Sequence, residues 1–185
     1  MKLLVAALDS ELVAFPAELE GFDRLVTGAG KLRAAYALTR ALDAASYDEI
    51  VVVGTAGSVD PSITGVHEVV AAIQHDVSDV AGIAGQHVSL PPRVTVGERE
   101  GTVIATGDHF VDDAETVAAI RELGGVLVDM ETYAYIWVAQ QFGTPIRVLK
   151  AVSDNAQDDA ITDWRATVAA CSAQLRNRVR ELYAV

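Results

Sequence analysis

Two acidic segments of the chain each follow an apolar run of strand length. Residues 126–128 lead into Asp129-Met130-Glu131, and residues 147–152 lead into Ser153-Asp154-Asn155. In an open α/β sheet, sites for small molecules lie beyond the carboxyl ends of the strands. Carboxyl groups at such a place can give or take a proton, or hydrogen-bond the hydroxyl groups of a bound molecule. The two segments therefore predict a site for a small-molecule substrate.

Three more stretches begin where an apolar run ends, and their polar or aromatic side chains could join the same site. They are Asp9-Ser10-Glu11, Gly54-Thr55-Ala56-Gly57-Ser58 and Thr106-Gly107-Asp108-His109-Phe110. Any one acid could instead cap a helix or carry a solvated charge, because short polar side chains are common at helix N-termini. The prediction therefore depends on the convergence of all five stretches.

Apolar runs of strand length alternate along the chain with helical patterns. Strands are predicted at residues 3–7, 24–27, 50–53, 66–73, 103–106, 126–128 and 147–152, and helices at residues 31–45, 114–123, 131–142 and 164–182. Strands built almost entirely of Val, Ile and Leu are typical of parallel sheets covered on both faces. We expect one α/β domain over residues 1–185, with three α/β/α layers and a largely parallel mixed sheet. Residues 82–99 have no clear period and are predicted to be a loop, either a flap or a subunit contact.

The overall charge and the cysteine content narrow the class of partner. The chain carries a formal net charge of -12, which argues against nucleic acids and anionic membranes, since both require clustered Lys and Arg. Cys171 is the only cysteine, so we expect no intrachain disulfide, no cysteine-based metal site and a reducing, cytoplasmic setting. The histidines are too scattered to indicate a metal site, and no apolar run approaches the roughly 20 residues of a membrane helix.

Six short motifs follow one another along the chain. They are Thr27-Gly28-Ala29-Gly30-Lys31, Gly54-Thr55-Ala56-Gly57, His75-Asp76, Thr106-Gly107-Asp108-His109-Phe110, Val128-Asp129-Met130-Glu131-Thr132 and Val152-Ser153-Asp154-Asn155. Their order and approximate spacing resemble the purine nucleoside phosphorylase/uridine phosphorylase superfamily, and within it most closely the 5'-methylthioadenosine/S-adenosylhomocysteine nucleosidases. The resemblance implies a nucleoside phosphorylase-like fold and cleavage of the N-glycosidic bond of a purine nucleoside.

The resemblance also implies which residues carry out the reaction. Asp154 matches the general acid that protonates N7 of the purine, and Glu11 matches the base that, with a nearby hydroxyl, activates the attacking water. Ser153 would assist Asp154 or contact the base. The alternative interpretations are helix caps for the two acids and a hydroxyl satisfied by backbone for Ser153. Neither proton transfer nor attack by water requires a cofactor, so none is expected.

The remaining site residues are implied to bind the nucleoside. Glu131 matches the carboxylate that hydrogen-bonds the ribose hydroxyls, and Met130 packs beneath the sugar. Phe110 matches the ring that stacks on adenine, and the backbone of Val111 reads the edge of the base. Three more residues match a turn whose backbone closes over the ribose and the water: Thr55, Ala56 and Gly57. Glu131 could instead be a charge at a helix N-terminus, and Phe110 could be a core residue.

Water and phosphate are the two possible attacking groups in this superfamily. A phosphate requires arginines or many backbone donors, whereas the first loop here contains Glu11, which would repel an anion. We therefore favour hydrolysis over phosphorolysis. A phosphorylase whose anion site comes from elsewhere, and a non-catalytic nucleoside-binding protein, remain the alternatives.

Two residues depart from the pattern of the family. His109 stands where relatives usually have a small residue, and it could touch the base or lie in a solvated loop. Lys150 replaces a usual arginine ahead of the acid motif. The resemblance further implies a homodimer, with a nucleoside and water as the small-molecule partners.

Overall fold

Eight strands of the described residues pair into one mixed sheet. The computed structural model describes residues 1–97, 101–155 and 164–185, and at residues 154, 155, 164 and 165 the backbone alone. The strands are β1 (Lys2–Ala6), β2 (Phe22–Val26), β3 (Glu49–Ser58), β4 (Val66–Gln74), β5 (Arg93–Thr95), β6 (Thr102–Thr106), β7 (Leu127–Asp129) and β8 (Ile146–Asn155). The helices are α1 (Lys31–Ala44), α2 (Ala114–Glu122), α3 (Thr132–Phe142) and α4 (Trp164–Tyr183), and a 3₁₀ turn, Asp9–Leu12, follows β1.

Five of the strands form a closed ring. β3 pairs with β7, β7 with β6, β6 with β4, β4 with β8, and β8 pairs with β3 again. The ring closes because β8 pairs with β3 over residues 146–155 and also with β4 over residues 148–151, and because β3, with ten residues, is long enough to change partners. One edge of β3 pairs first with β1 and then, at Gly57 and Ser58, with β7. Outside the ring, β2 adds to β1, and β5 adds to β4.

The directions of the strands confirm a largely parallel mixed sheet. β1 is parallel to β2 and β3, β3 to β8, and β6 to both β4 and β7. The pairs β3–β7, β4–β5 and β4–β8 are antiparallel. Since β7 runs against β3, the chain that leaves β7 turns back along β3. The residues after β7 and those in the middle of β3 therefore share one region.

Helices cover both faces of the sheet, which confirms the three-layer α/β/α architecture. Along β3 the side chains alternate between faces: Ile50 and Val52 pack with α1 and α3, whereas Val51 and Val53 pack with α4. The same alternation occurs in β1, and α2 packs on the face opposite α3 against β4, β6 and β7. Both faces are buried, which explains the near-continuous apolar composition of the strands.

Two predicted local structures are wrong. Thr55, Ala56 and Gly57 were expected in a turn, but they lie inside β3, which continues to Ser58. The strand continues because β8 and β7 still pair with its two edges there, and a register shift between Ala56 and Gly57 bends it without ending it. The segment predicted as a loop contains β5, which adds to the edge of β4, and residues 98 and 99 of that segment lie outside the described residues.

None of the helices formed by the described residues combines the length and the apolar composition that crossing a membrane requires. The longest, α4, instead buries one face on the sheet. Leu175 and Val179 of α4 are at most 1% exposed and pack with Val51 and Val53 of β3. Helix α4 therefore packs against the face of the sheet opposite α1 and α3 and forms the hydrophobic core on that face.

Truncation of a buried α4 side chain tests this packing. Val179→Ala is expected to lower the free energy of unfolding by about 2 kcal/mol, because it removes two buried methyl groups and leaves a cavity. The matched control is Val13→Ala, since Val13 is 61% exposed, and its expected effect is within about 0.5 kcal/mol. Urea unfolding of both variants measures the difference. Equal effects would mean that α4 does not pack on the sheet as described.

Candidate active site

The carboxyl ends of β1 and β7 and the middle of β3 bring together the predicted residues Glu11, Glu131 and Thr55. Glu11 lies in the 3₁₀ turn after β1, Glu131 precedes the first residue of α3, and Thr55 lies within β3. Both glutamates are buried, at 3% and 5% exposure. Burial of two carboxylates in one region is costly unless hydrogen bonds and opposite charges compensate for it.

Glu11 is held by a complete set of hydrogen bonds. Its Oε2 accepts from the backbone N–H groups of Ala7 (3.1 Å) and Leu8 (3.0 Å). Its Oε1 accepts from the backbone N–H of Thr55 (2.7 Å) and from the Thr55 hydroxyl (3.0 Å). The expected nearby hydroxyl is therefore that of Thr55. Of the three polar residues of this turn, Glu11 is buried, whereas Asp9 is exposed and Ser10 is partly exposed.

Gly54 allows the Glu11 carboxylate and a lysine to approach the backbone of β3. A Cβ atom at this position would lie 2.9 Å from Oε1 of Glu11 and 3.1 Å from Nζ of Lys150. Only glycine leaves space for both groups. The glycine that was predicted to end the strand is therefore required by the close approach of two charged side chains.

A buried ion pair lies at the centre of the site. Nζ of Lys150, on β8, is 2.9 Å from Oδ2 of Asp129, at the end of β7, and both side chains are 2% exposed. Asp129 also accepts hydrogen bonds from the Thr106 hydroxyl (2.7 Å) and from the hydroxyl (2.5 Å) and backbone N–H (3.0 Å) of Thr132. Oδ2 of Asp129 thus accepts from the first backbone N–H of α3, as a capping side chain does.

The charges around this pair set the pKa of each member. Burial by itself would lower the pKa of Lys150, but Asp129, Glu131 and Glu11 outweigh it and raise the pKa above its usual value. Burial opposes ionisation of Asp129 as well, yet the ammonium of Lys150 and the hydrogen bonds hold the pKa of Asp129 below its usual value. Both residues are therefore charged in the folded protein.

Glu131 has the opposite shift. Burial, followed by the negative charge of Asp129, raises the pKa of Glu131 to about 7. Its Oε1 accepts a 2.8 Å hydrogen bond from the backbone N–H of Gly30. Gly30 has φ of 99°, a conformation that favours glycine, and a Cβ there would lie 3.1 Å from Asp108 Oδ1. Glu131 therefore lies at the N-terminus of α3, as the alternative interpretation expects, but it is buried and accepts a hydrogen bond from another segment of the chain.

Two charged loops meet next to Glu131. Lys31 donates from Nζ to Asp76 Oδ1 (2.6 Å) and to Gln74 Oε1 (2.9 Å), and its backbone N–H donates to Asp108 Oδ1 (2.7 Å). The N–H of Asp108 in turn donates to Asp76 Oδ2 (2.8 Å). The motifs around Gly30, Asp76 and Asp108, which are far apart in sequence, therefore form one rim of the site.

The residues predicted to contact a purine lie at this rim. Phe110 is 62% exposed, so the alternative interpretation as a core residue is wrong, whereas Val111 is buried against α2. His109 packs edge-to-face on His75, with 5.0 Å between the ring centroids. Burial lowers the pKa of His75. An exposed aromatic ring next to a buried backbone segment is suited to binding a flat apolar ligand.

The other predicted residues fall at the ends of the same strands. Met130 is partly buried between Asp129 and Glu131, and Ser153 on β8 donates a hydrogen bond to the Ala56 carbonyl (3.4 Å). The backbone of Asp154 is paired with that of Gly57, but the Asp154 side chain lies outside the part of the chain that the structure describes. The end of β8 therefore lies beside Gly57 of β3, which is two residues after Thr55.

The ion pair of Lys150 and Asp129 was not among the predicted site residues. A signal for it is present, because Lys150 stands between the apolar residues Val148-Leu149 and Ala151-Val152, and a lysine buried in a sheet requires an acidic partner. Asp129, at the end of a neighbouring apolar run, was the available partner. Among the side chains that the structure describes, no group of three could hold a metal ion.

The raised pKa of Glu131 predicts a pH-dependent stability. The pKa is 4.5 for an unperturbed Glu and about 7 here, so the folded state binds this proton more tightly than the unfolded state does. The stabilisation from protonated Glu131 is therefore present at low pH and is lost as the pH rises through about 7. Relative to that of Glu131→Gln, the free energy of unfolding of the wild type is expected to fall by about 2–3 kcal/mol between pH 5 and pH 8. Urea unfolding at both pH values measures this.

An exposed glutamate of α2 supplies the control for this experiment. Glu115→Gln removes the same charge at the surface, and wild type should keep a nearly constant stability relative to it across the same range. A constant difference between wild type and Glu131→Gln would show that Glu131 is ionised throughout and that its burial has no effect on its pKa.

Comparisons with known proteins agree with this geometry. Residues 94–184 match the family model of the phosphorylase superfamily. The chain is 32% identical to the 5'-methylthioadenosine/S-adenosylhomocysteine nucleosidase of Marinomonas sp. (strain MWYL1), over 77% of this chain and 72% of that protein. It is 33% identical to the protein of the same name from Geobacillus thermodenitrificans, over 82% and 75% of the two chains.

Solved structures of other proteins have the same fold. The futalosine hydrolase of Helicobacter pylori superimposes with a TM-score of 0.87 at 20% identity, over 99% of this chain and 97% of that chain. The 5'-methylthioadenosine/S-adenosylhomocysteine nucleosidase of Neisseria meningitidis, in complex with methylthio-immucillin-A, gives 0.81 at 25% identity, over 98% of both chains. With the identities to the curated relatives, the conclusion is that this chain belongs to the 5'-methylthioadenosine/S-adenosylhomocysteine nucleosidase family, a group of hydrolytic nucleosidases within the phosphorylase superfamily.

Proposed function

We propose that this protein hydrolyses the N-glycosidic bond of a purine nucleoside that carries a 5' substituent, such as 5'-methylthioadenosine, S-adenosylhomocysteine or a futalosine-type nucleoside. The observation that carries the proposal is the pair formed by the Glu11 carboxylate and the Thr55 hydroxyl, 3.0 Å apart and next to Glu131. This pair can orient a water molecule beside a ribose bound by Glu131. The names of the relatives support the substrate class.

The reaction begins with departure of the purine. Asp154, as general acid, gives its proton to N7, and the C1'–N9 bond breaks as the ribose becomes an oxocarbenium-like cation. The purine leaves neutral, because the proton on N7 compensates for the electron pair of the broken bond. Carboxylates around the sugar favour the developing positive charge.

Attack by water completes the reaction. The water donates a hydrogen bond to the Thr55 hydroxyl, which itself donates to Glu11 Oε1 at 3.0 Å, so the proton lost from the water passes to the carboxylate. The oxygen bonds to C1', and the products are the free base and a 5-substituted ribose. The four hydrogen bonds that hold Glu11 fix its position before a substrate arrives.

The nucleoside contacts follow from the rim. Phe110 stacks on the purine, the backbone of Val111 contacts the edge of the base, and Met130 packs beneath the sugar. Glu131 accepts hydrogen bonds from the ribose hydroxyls in its ionised form. Ala56 and Gly57, at the register shift of β3, line the ribose with Thr55, and Ser153 holds the Ala56 carbonyl.

Electrostatics support water rather than phosphate as the attacking group. Both lysines of the site are ion-paired, Lys150 with Asp129 and Lys31 with Asp76. A phosphate next to Glu11 and Glu131 would add a further anion to a region rich in carboxylates. A neutral water molecule avoids this repulsion.

Release of the free purine from a panel of nucleosides, with and without orthophosphate, tests the proposal. The panel contains 5'-methylthioadenosine, S-adenosylhomocysteine, a futalosine-type nucleoside and unmodified adenosine. We expect release that does not depend on phosphate, and a decrease of kcat by about 10²–10⁴-fold in Asp154→Asn and in Glu11→Gln, since each removes a proton-transferring group. The matched control is Asp43→Asn, which changes an exposed aspartate of α1 and should leave kcat unchanged.

Two other results of this assay would contradict the proposal. Release that requires orthophosphate would identify a phosphorylase. Binding of a panel member without release by wild type would identify a nucleoside-binding protein without catalytic activity.

The same proposal includes a homodimer formed by α1 and the loop after β4. Leu32 and Tyr36, one turn apart on α1, are 82% and 69% exposed, and Val80, Ile83 and Val88 of the loop are 91%, 50% and 70% exposed. The ion pair of Lys31 and Asp76 joins the start of α1 to the start of this loop. Large apolar side chains grouped in this way are typical of protein interfaces.

A charge placed on this surface tests the dimer. Leu32→Glu is expected to convert a dimer into a monomer, because the carboxylate would be desolvated in the interface. The control is Val13→Glu, which places the same charge on another part of the molecule, where Val13 is 61% exposed. This variant should remain dimeric. Analytical ultracentrifugation measures both. A monomeric wild type, or a dimeric Leu32→Glu, would contradict the proposed interface.

A further inference from the structure

Ser172, on α4, is completely buried and contacts the backbone of the turn that carries Glu11. Its Oγ donates a 2.7 Å hydrogen bond to the carbonyl oxygen of Glu11 and accepts a 3.1 Å hydrogen bond from the backbone N–H of Ala14. Its exposure is 0%. One hydroxyl therefore hydrogen-bonds both the carbonyl of Glu11 and the N–H of Ala14, three residues further along the chain.

The turn depends on an external partner for these groups. The 3₁₀ turn Asp9–Leu12 has only four residues, so its last carbonyls have no partner within the turn itself. A buried carbonyl without a partner is costly, so loss of the Ser172 hydroxyl would force the turn to move or to admit water. The carbonyl concerned belongs to the same residue whose carboxylate contacts Thr55.

The neighbouring residue of α4 contacts the other half of the site. Sγ of Cys171 lies 3.6 Å from the carbonyl oxygen of Val152, in β8, two residues before Asp154. Cys171 and Ser172 are consecutive on α4. Ser172 contacts the turn that carries Glu11, the proposed base, and Cys171 contacts β8 close to Asp154, the proposed acid. The spacing between these segments is then set by α4 as well as by the sheet.

We propose that Ser172 is a positioning residue for Glu11, an inference that rests on the proposed function of Glu11 as the base. It does not touch the substrate. It fixes the backbone of the turn so that the Glu11 carboxylate reaches the Thr55 hydroxyl. The position of the water that this pair orients is thereby fixed as well. Misplacement of a catalytic group by about 1 Å can decrease a rate by about 100-fold.

Steady-state kinetics of Ser172→Ala test the inference. We expect kcat to fall by about 10- to 100-fold with KM changed by less than about threefold, because the base acts on water and not on nucleoside binding. In a Glu11→Gln background, Ser172→Ala should cause no further decrease, since its effect acts through the carboxylate. Val179→Ala is the control, because it removes a buried side chain of the same helix about two turns beyond Ser172 and removes neither of the hydrogen bonds of Ser172.

Three kinetic results would overturn the inference. The first is an unchanged kcat in Ser172→Ala, and the second is an equal decrease in the wild-type and Glu11→Gln backgrounds. The third is an equal decrease in Val179→Ala, which would assign the effect to general loosening of α4. An active wild type that is insensitive to Glu11→Gln would instead contradict the proposed function of Glu11, so the two failures are distinguishable.

Hydrogen exchange gives a readout that needs no activity. The backbone N–H groups of Ala7, Leu8 and Thr55 all donate to the Glu11 carboxylate, so they should exchange faster in Ser172→Ala than in Val179→Ala. Unchanged exchange would overturn the inference. Ser172→Cys keeps nearly the same volume and replaces the hydroxyl by a weaker donor, so it should give a smaller change in the same direction and serves if the alanine variant does not fold.

Discussion

The buried ammonium of Lys150 is the interaction on which the rest of the site depends. It pairs with Asp129, and its positive charge also acts on Glu11 and Glu131, so that one cation faces three carboxyl groups. Removal of that charge would leave uncompensated acids in a region of low exposure, which is far more costly than the loss of a surface ion pair. Burial and the negative charge of Asp129 outweigh the attraction of this one cation for Glu131, so the pKa of Glu131 is raised to about 7.

The sheet provides the positions that this charge arrangement needs. β7 runs against β3, while β1 and β8 run parallel to it, so residues from strands of both directions reach one region. The absent side chain of Gly54 then leaves space for Glu11 and Lys150 to approach the backbone of β3. The fold and the charges are therefore linked: a larger residue at that position would separate the carboxylate from Thr55, and a purely parallel sheet would place Asp129 elsewhere.

The layers, most element positions and the convergence of Glu11 and Glu131 could be predicted, because hydrophobic periodicity and strand ends are local properties of a sequence. The extension of β3 through Thr55 could not, since it depends on pairing with β7 and β8, which lie about 70 to 100 residues further along the chain. The same limit applies to Ser172, which is separated by 161 residues from the carbonyl that it binds. A buried serine in a helix is common, and its partner is a matter of tertiary packing.

The closed ring of β3, β7, β6, β4 and β8 also constrains the order in which the chain can fold. β8 is the last of these strands in sequence, and it is the one that pairs with both β3 and β4. Until it inserts, the ring has two open edges that can pair wrongly. Pairing of segments so far apart in sequence is slow, because the entropy of the intervening chain is lost before the stabilising contacts form. Lys150 arrives on this same strand, so the acids of the site are neutralised only in the step that removes the open edges.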